Sequence, residues 1–285
     1  MVFNRINSCK LIALLVNLNK LINAQLLTVI CKKRDIKMVK AKYTQLCLVL
    51  MIFASCYIST LNAQSITQIG LNILFEDTKY NFSEDDKQLI GSIIVQSEKK
   101  IRILLPSLPK EITVTISITD SNHDKIGGVN GQTDSNSPAE VTIEISNVFP
   151  GGIRAASKKA LAALVYHEFH HLSRGWAIKD NKFGPGMSIA MINEGLAVVF
   201  SEIHTGVKLD AYKYPEEVNS WVEQIMKLPL NAKWSEWMYK HPDGRAQVGY
   251  RAGSFLIRQV IKKSGKNILE LSELSPAEIL KLVGY

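Results

Sequence analysis

The sequence predicts an α+β fold in which a small N-terminal sheet, mixed or antiparallel, precedes a mainly helical half. Two segments, residues 112–119 and 141–146, alternate apolar and polar side chains with the period of two expected of half-buried strands. From Arg154 onward, apolar residues recur at helical spacing over most of the chain. Strands that come first and helices that follow are typical of α+β proteins, whereas α/β proteins alternate the two.

The first half of the chain is predicted to contain further elements around those two strands. Residues 69–76 alternate loosely and predict another strand. A helix is expected to begin after Ser83, which three acidic residues follow, and to end near Leu105, just before Pro106. Residues 120–139 are rich in Gly, Asn, Asp and Ser, a composition that predicts a loop.

The second half is predicted to be a series of helices. Pro229, Pro242 and Gly265 separate the later ones, because proline and glycine interrupt helical segments. The predicted helices cover residues 154–174, 188–204, 215–227, 231–240, 246–264 and 275–283.

Composition divides the chain into a leader over residues 1–63 and a single domain over residues 64–285. The leader holds nine Lys or Arg and one acid, Asp35, whereas the domain holds 25 basic and 25 acidic side chains. Because the basicity belongs to the leader, a groove for nucleic acid is not expected. All four cysteines precede residue 64, so the domain has no disulfide framework, and His, Asp or Glu must hold any metal ion.

The leader predicts export. From Met38, two lysines precede an apolar run over residues 46–58, and small and polar residues end at Ala63. This layout predicts a signal peptide cleaved after Ala63, and hence a periplasmic, cell-surface or secreted protein. Lipidation of Cys56, or a retained membrane anchor, is the alternative and would attach the protein to a membrane. Residues 1–37 are interpreted as an over-extended start or as an amphipathic membrane-surface helix.

The segment HEFHH lies within the predicted helix over residues 154–174 and suggests a metal site. His167 and His171 are one helical turn apart on the same face, so both imidazoles can reach one zinc ion. Glu168 lies at the edge of that face, where it can take a proton from zinc-activated water as general base. His170 is interpreted as a flanking residue, because choosing it as ligand leaves no comparable position for the base.

A catalytic zinc site needs three protein ligands and one open position. The spacing HExxHxxGxxH is excluded, because Arg174 and Ala177 stand where Gly and His would be required. A loop and a second helix follow instead, and Glu194 in MINEGLAVVF would face the histidines from its first turns. Glu202, two turns further along, is the second candidate for third ligand. Gly195 would permit a close approach of two helices at the metal.

HEFHH followed by NEGLA resembles the gluzincin metallopeptidases, in which HExxH supplies two histidines and a base and a downstream Glu supplies the third ligand. The fuller pattern, over roughly residues 110–265, is similar to a small family of predicted zinc-dependent proteases. It consists of HEFHHLSR, INEGLAVVF and VGYRAGSFLIRQ. The resemblance implies a zincin-like fold with HExxH on the active-site helix. The sequence departs from the pattern at Val198, where an acid often follows EGLA.

Residues outside the metal ligands also have expected roles, and the role of Tyr250 is implied by the resemblance. Tyr250 in GYRAG would donate a hydrogen bond to the oxyanion of the tetrahedral intermediate, with His241 as a competing donor. Asn193 and Arg174 would support the ligands from behind or have a purely structural role. The strand over residues 140–146 is a candidate edge for pairing with an extended peptide.

Together these features predict an exported metallopeptidase that holds one zinc ion and acts on a peptide or protein substrate. The sequence leaves the oligomeric state open. A zinc aminopeptidase is one alternative, although no motif for gripping a free α-amine is visible. A membrane-attached binding or structural protein with a vestigial zinc site is the other. Glu168 argues against it, because a purely structural site needs no base.

Overall fold

The computed structural model of the protein describes residues 66–68 and 70–285. The predictions for the leader over residues 1–63, which concern the signal peptide, lipidation of Cys56 and the start of the chain, lie outside the described residues. Within the described part, no helix is both long enough and apolar enough to cross a membrane.

The described strands are β1 (Ile66–Gln68), β2 (Leu71–Phe75), β3 (Ile112–Thr119), β4 (Val129–Asn136) and β5 (Ala139–Ser146). They form one mixed sheet, in the order β1–β2–β3–β5–β4. Both outer pairs, β1 with β2 and β4 with β5, are antiparallel, whereas β3 runs parallel to β2 and β5. The predicted α+β class, with a small mixed sheet before a mainly helical half, is confirmed.

One helix, α1 (Glu84–Leu104), interrupts the strands and connects β2 to β3. The predicted start at Ser83 is confirmed, because the Ser83 side chain accepts from the backbone of Asp86 and Asp86 caps Ser83 in return. Strand β3 has the predicted bounds and alternates buried with half-buried residues along its length. Its buried residues join the apolar side chains of α1 and β5 in one core.

The prediction of a loop over residues 120–139 is wrong, because β4 lies within it. The β4 sequence VNGQTDSN contains one strongly apolar residue, Val129, and therefore shows no strand periodicity. Its order comes from antiparallel pairing with β5 and from its position at the edge of the sheet, where polar side chains meet solvent.

The prediction that residues 140–146 form an accessible edge is also wrong. Strand β5 pairs with β3 on one side and with β4 on the other, so its backbone is enclosed within the sheet. The edge on this side of the sheet belongs to β4.

The helical half agrees with most of the predicted helices. The helix predicted from Arg154 begins at Gly152 and contains one π-helical turn, Ser157–Leu161, before the segment that carries HEFHH. The helix predicted over residues 231–240 is shorter, and the short helix Ile268–Ser272 was not predicted. The helices are α2 (Gly152–Ala156), α3 (Ala162–Arg174), α4 (Met187–Thr205), α5 (Val218–Met226), α6 (Trp234–Met238), α7 (Val248–Ser264), α8 (Ile268–Ser272) and α9 (Pro276–Val283).

Two glycines set the distance between α4 and α7. A Cβ atom on Gly195 would lie 2.3 Å from the backbone carbon of Gly253, and one on Gly253 would lie 2.1 Å from the carbonyl oxygen of Met191. The two helices therefore meet backbone to backbone. Gly195 therefore allows α7 to lie directly against α4, the helix that carries Glu194.

Candidate metal centre

Several ionisable side chains of helix α3 lie in the protein interior. His167, Glu168, His170 and His171 are all buried, and Phe169 between them has no exposed surface. Buried polar groups are costly unless they have partners, so each of these side chains needs a hydrogen-bonding or metal-binding role.

Three side chains of α3 and α4 converge on one point. The Nε2 atoms of His167 and His171 are 3.0 Å apart, and each lies 3.1 Å from Oε2 of Glu194. The three ligand atoms all lie within 4.8 Å of one another. Two imidazole nitrogens and a carboxylate oxygen, all buried and facing inward, are the donor set of a catalytic zinc site. The residues present therefore fit a zinc ion.

The carboxylate of Glu194 is held from both sides. Its Oε1 atom accepts a hydrogen bond of 3.1 Å from the indole Nε1 of Trp176, while Oε2 faces the histidines. Burial alone would raise the pKa of Glu194, but His171 and His167 more than offset it and hold that pKa well below its usual range. Glu194 is thus ionised and oriented for a cation. The sequence interpretation missed Trp176, because nothing in the loop sequence marks its contact with α4.

Glu168 lies next to the three ligands and has its own support from strand β4. The hydroxyl of Thr133 lies 2.9 Å from Oε2 of Glu168 and 3.0 Å from its backbone oxygen. Burial raises the pKa of Glu168 to about 7, against the lowering effects of His167 and the Thr133 hydrogen bond. A carboxylate with a pKa near neutrality is suited to accept and release a proton. The sequence interpretation missed Thr133, because it lies in the segment predicted as a loop.

Gly131 gives Glu168 room at the edge strand. A Cβ atom at this position would lie 3.1 Å from Cγ of Glu168 and 3.1 Å from Cδ1 of Leu164. Such contacts are tighter than ordinary packing, so a larger residue would displace the Glu168 side chain. The absence of a side chain at Gly131 therefore helps to hold strand β4 close to α3.

A cleft of about 580 Å³ opens onto this centre. Its lining includes the three ligands, Glu168 and Tyr250, so the centre is accessible to a substrate. One wall is the edge strand β4, from Asn130 to Thr133. The remaining walls come from the loop between α3 and α4 and from residues before and within α6 and α7, namely Trp176, Ala177, Ile178, Asn181, Gly184, Pro185, Gly186, Met187, Leu230, Ala232, Trp234 and Tyr239.

Tyr250 reaches the cleft from the first turn of α7. Its ring centroid lies 6.4 Å from that of His167, and it stacks on Tyr212 at 5.6 Å. Burial, together with the charge of Glu194, raises the pKa of Tyr250 well above its usual value. Tyr250 is therefore a protonated hydroxyl available as a hydrogen-bond donor. Its neighbour Gly249 leaves space for Met238, whose sulfur would lie 2.1 Å from a Cβ atom there.

The structure places His170 and Asn193 away from the ligands. The Nε2 atom of His170 lies 2.9 Å from the hydroxyl of Ser272 in α8, and burial, together with Arg174, lowers the pKa of His170 well below its usual value. Asn193 accepts a hydrogen bond of 3.0 Å from Arg174, which also donates to the backbone oxygens of Ser272 and Leu274. This network attaches α3 and α4 to the C-terminal helices.

Glu202 and His241 also lie apart from the three ligands. Glu202 pairs with Arg258 of α7, across the α4–α7 contact. His241 lies 2.8 Å from Asp243 in a turn and does not line the cleft. Of the two donors considered for the oxyanion, the structure brings only Tyr250 to the centre. Val198 is buried and lines a small cavity of about 50 Å³ that also contacts Glu168.

Comparison with known protein families identifies the relatives of this chain. A family model described as predicted Zn-dependent protease (DUF2268) matches residues 95–281, which is more than half of the 285 residues. A search of curated proteins found no match. The matched range contains HEFHH, NEGLA and GYRAG, as well as Thr133 and Trp176. The chain therefore belongs to this family of predicted zinc-dependent proteases.

Proposed function

We propose that the protein is an exported zinc metallopeptidase that hydrolyses peptide bonds. The observation that carries the proposal is the convergence of His167, His171 and Glu194 at the base of an open cleft, with Glu168 beside them. Zinc held by these residues would act as a Lewis acid and lower the pKa of a water molecule toward neutrality.

Glu168 would act as the general base of the reaction. Because the Thr133 hydroxyl lies against Oε2, the other oxygen, Oε1, is the one that takes the proton of the attacking water. The hydrogen bond also restrains the carboxylate. The protonated Glu168 would then deliver its proton to the leaving amine.

Strand β4 would hold the substrate chain by edge pairing. The backbone N–H of Ser146 in β5 donates to the carbonyl oxygen of Gly128, just before β4. Hydrogen-bonded and non-hydrogen-bonded pairs alternate along an antiparallel ladder, so every second residue of β4 counted from Gly128 bonds to β5. The backbone groups of Val129, Gly131 and Thr133 therefore point outward. The oxygen of Thr133 already accepts from Ile178, which leaves Val129 and Gly131. Of these two, Gly131 lies next to Glu168 and is the pairing position for an extended peptide.

Tyr250 would donate a hydrogen bond to the substrate carbonyl oxygen as negative charge develops on it. A neutral hydroxyl in a half-buried position is an effective donor, because it needs no reorganisation during the reaction. The raised pKa of Tyr250 keeps this hydroxyl protonated over the neutral range. Tyr212, stacked against the ring, would fix its orientation.

The alternatives fit the cleft less well. An aminopeptidase grips the free α-amine with acidic side chains, but Glu168 and Glu194 are the acidic residues among those lining the cleft, and both have other roles. A vestigial binding site would not need a supported base such as Glu168. The cleft therefore favours an endopeptidase over these two alternatives.

The test is zinc content and peptide cleavage for the wild type, Glu168→Gln and the exposed control Glu216→Gln. We expect about one zinc per chain in all three proteins, with cleavage of casein lost in Glu168→Gln and kept in the control. A wild type without zinc contradicts the metal site. Equal cleavage by Glu168→Gln contradicts the role of Glu168.

Export rests on the leader, and its test is separate. The mass and N-terminus of the protein recovered from its natural cell would show a chain that begins at Gln64, if the signal peptide is cleaved after Ala63. A chain that begins at a lipidated Cys56 would show membrane attachment instead. An intact leader on protein recovered from the cytoplasm would contradict export.

A further inference from the structure

The cleft beside the candidate metal centre has an apolar wall formed by Trp176, Met187, Leu230 and Trp234. The rings of Trp176 and Trp234 stack with centroids 6.1 Å apart and planes 30° apart. Trp176 and Met187 are buried behind the surface, whereas Leu230 is 74% exposed. The wall is thus packed against the core on one side and lines the cleft on the other.

Exposed apolar side chains are concentrated at this cleft. Within the described residues, ten large hydrophobic side chains are exposed, and four of them line it. Those four are Ile178, Leu230, Trp234 and Tyr239. Single exposed apolar residues are ordinary, but a group of them around one concave surface indicates a binding site for an apolar group.

The cleft offers no counter-charge to a charged substrate side chain. Among the residues that line it, the ionisable ones apart from tyrosine are His167, His171, Glu168 and Glu194, all of which belong to the centre itself. Among the described residues, no lysine or arginine lines this cleft. A charged side chain placed against the apolar wall would lose water without gaining a partner, whereas an apolar one would bury surface.

The segment that follows Trp176 fixes the wall against the edge strand. The backbone N–H groups of Ile178 and Lys179 donate to the oxygens of Thr133 and Asp134 at 3.0 and 2.9 Å. The strand edge beyond Gly131 is therefore occupied by the chain itself. A peptide paired at Gly131 cannot continue along β4 in that direction, so the apolar wall limits the space next to the reacting bond.

Trp176 joins this wall to the metal centre. One edge of its indole donates to Glu194, and its ring face stacks on Trp234. A side chain that contacts the wall must therefore belong to a substrate residue adjacent to the bond that is cut. Aromatic rings pack well against such a pair, in offset or edge-to-face arrangements.

We infer that this cleft selects peptides with a large apolar side chain, aromatic above all, next to the scissile bond, and that Trp234 and Leu230 determine this specificity. The inference rests on the proposed peptidase function and names its substrate class. The occupant is a substrate side chain, because the wall is continuous with Glu194 and with the free backbone of Gly131.

The cleavage test uses peptides with identical flanks and one variable residue, which is Phe, Leu, Gly or Lys, with the cut position mapped by mass spectrometry. We expect kcat/KM for the Phe peptide to exceed that for the Gly and Lys peptides by about 10- to 100-fold. Trp234→Ala and Leu230→Asp should each reduce the Phe preference about 10-fold, while Trp234→Phe restores most of it. The control Ile103→Asp, at an 81% exposed residue of α1, should change nothing.

A binding test separates this inference from the proposed function. Calorimetry on zinc-loaded Glu168→Gln would compare N-acetyl-phenylalaninamide with N-acetyl-glycinamide. Tighter binding of the phenylalanine compound, lost in the Trp234→Ala double variant, supports the pocket even if no peptide is cleaved. Cleavage of all four peptides at equal rates overturns the inference and leaves the proposed function standing. Equal binding of the two compounds also overturns it.

Discussion

Replacing Thr133 by valine removes a hydroxyl that donates to Glu168 but keeps the shape of the side chain and its preference for a strand. A hydrogen bond to a charged group contributes about 1.5–3 kcal/mol. One pKa unit corresponds to about 1.36 kcal/mol, so the pKa of Glu168 should rise by about 1–2 units. The starting pKa is about 7, and the variant should therefore titrate near 8–9.

The sign of the activity change follows from the role of Glu168. Only the ionised carboxylate accepts a proton, so activity increases as the pH rises through the pKa of Glu168. A higher pKa therefore shifts this acidic limb of the pH–activity profile to higher pH. At the pH where half of the wild-type Glu168 is ionised, the ionised fraction in the variant would be between about one tenth and one hundredth. Bound zinc would lower the pKa in wild type and variant alike, so the difference between them remains.

The assay is kcat/KM between pH 5 and 10 on one quenched peptide, for zinc-loaded wild type, Thr133→Val and Thr133→Ser. Thr133→Ser keeps the hydroxyl and should follow the wild-type profile. If the acidic limb of Thr133→Val lies at the same pH as that of the wild type, the hydrogen bond does not stabilise the ionised Glu168.

Three further predictions concern the surroundings of the centre. Trp176→Phe removes the hydrogen bond to Glu194 and should weaken zinc binding about 10- to 100-fold in a chelator competition, and unchanged affinity would contradict this positioning role. Gly253→Ala places a methyl group against Met191 and should destabilise the protein by about 3 kcal/mol or more in urea unfolding, whereas a neutral effect would contradict the close helix contact. His170→Ala should cost about 2–4 kcal/mol yet keep one zinc per chain, and loss of zinc from the folded variant would make His170 a ligand.

The elements that were predicted correctly are those whose pattern is local. Strand β3 alternates over eight residues, and the start of α1 is marked by Ser83 and the acids that follow it. Strand β4 was missed because its polar sequence shows no periodicity. Its stability comes from pairing with β5 instead. Helix α8 has five residues, too few for a helical period to be visible.

The same distinction holds at the candidate site. His167 and His171 could be paired from the sequence because a helix fixes residues four apart on one face. Glu194 could be proposed from the NEGLA pattern, and the structure brings it to both histidines. Thr133 and Trp176 could not be found, because their contacts with Glu168 and Glu194 depend on tertiary packing of an edge strand and a loop.

The position of a bound zinc ion would show whether His167, His171 and Glu194 form the metal centre. Anomalous diffraction at the zinc edge, from crystals of the wild-type protein loaded with zinc, would locate the ion. We predict one site, with the zinc about 2.0–2.2 Å from Nε2 of His167, Nε2 of His171 and a carboxylate oxygen of Glu194. A fully occupied zinc elsewhere, or a centre that stays empty in zinc-loaded protein, would contradict it.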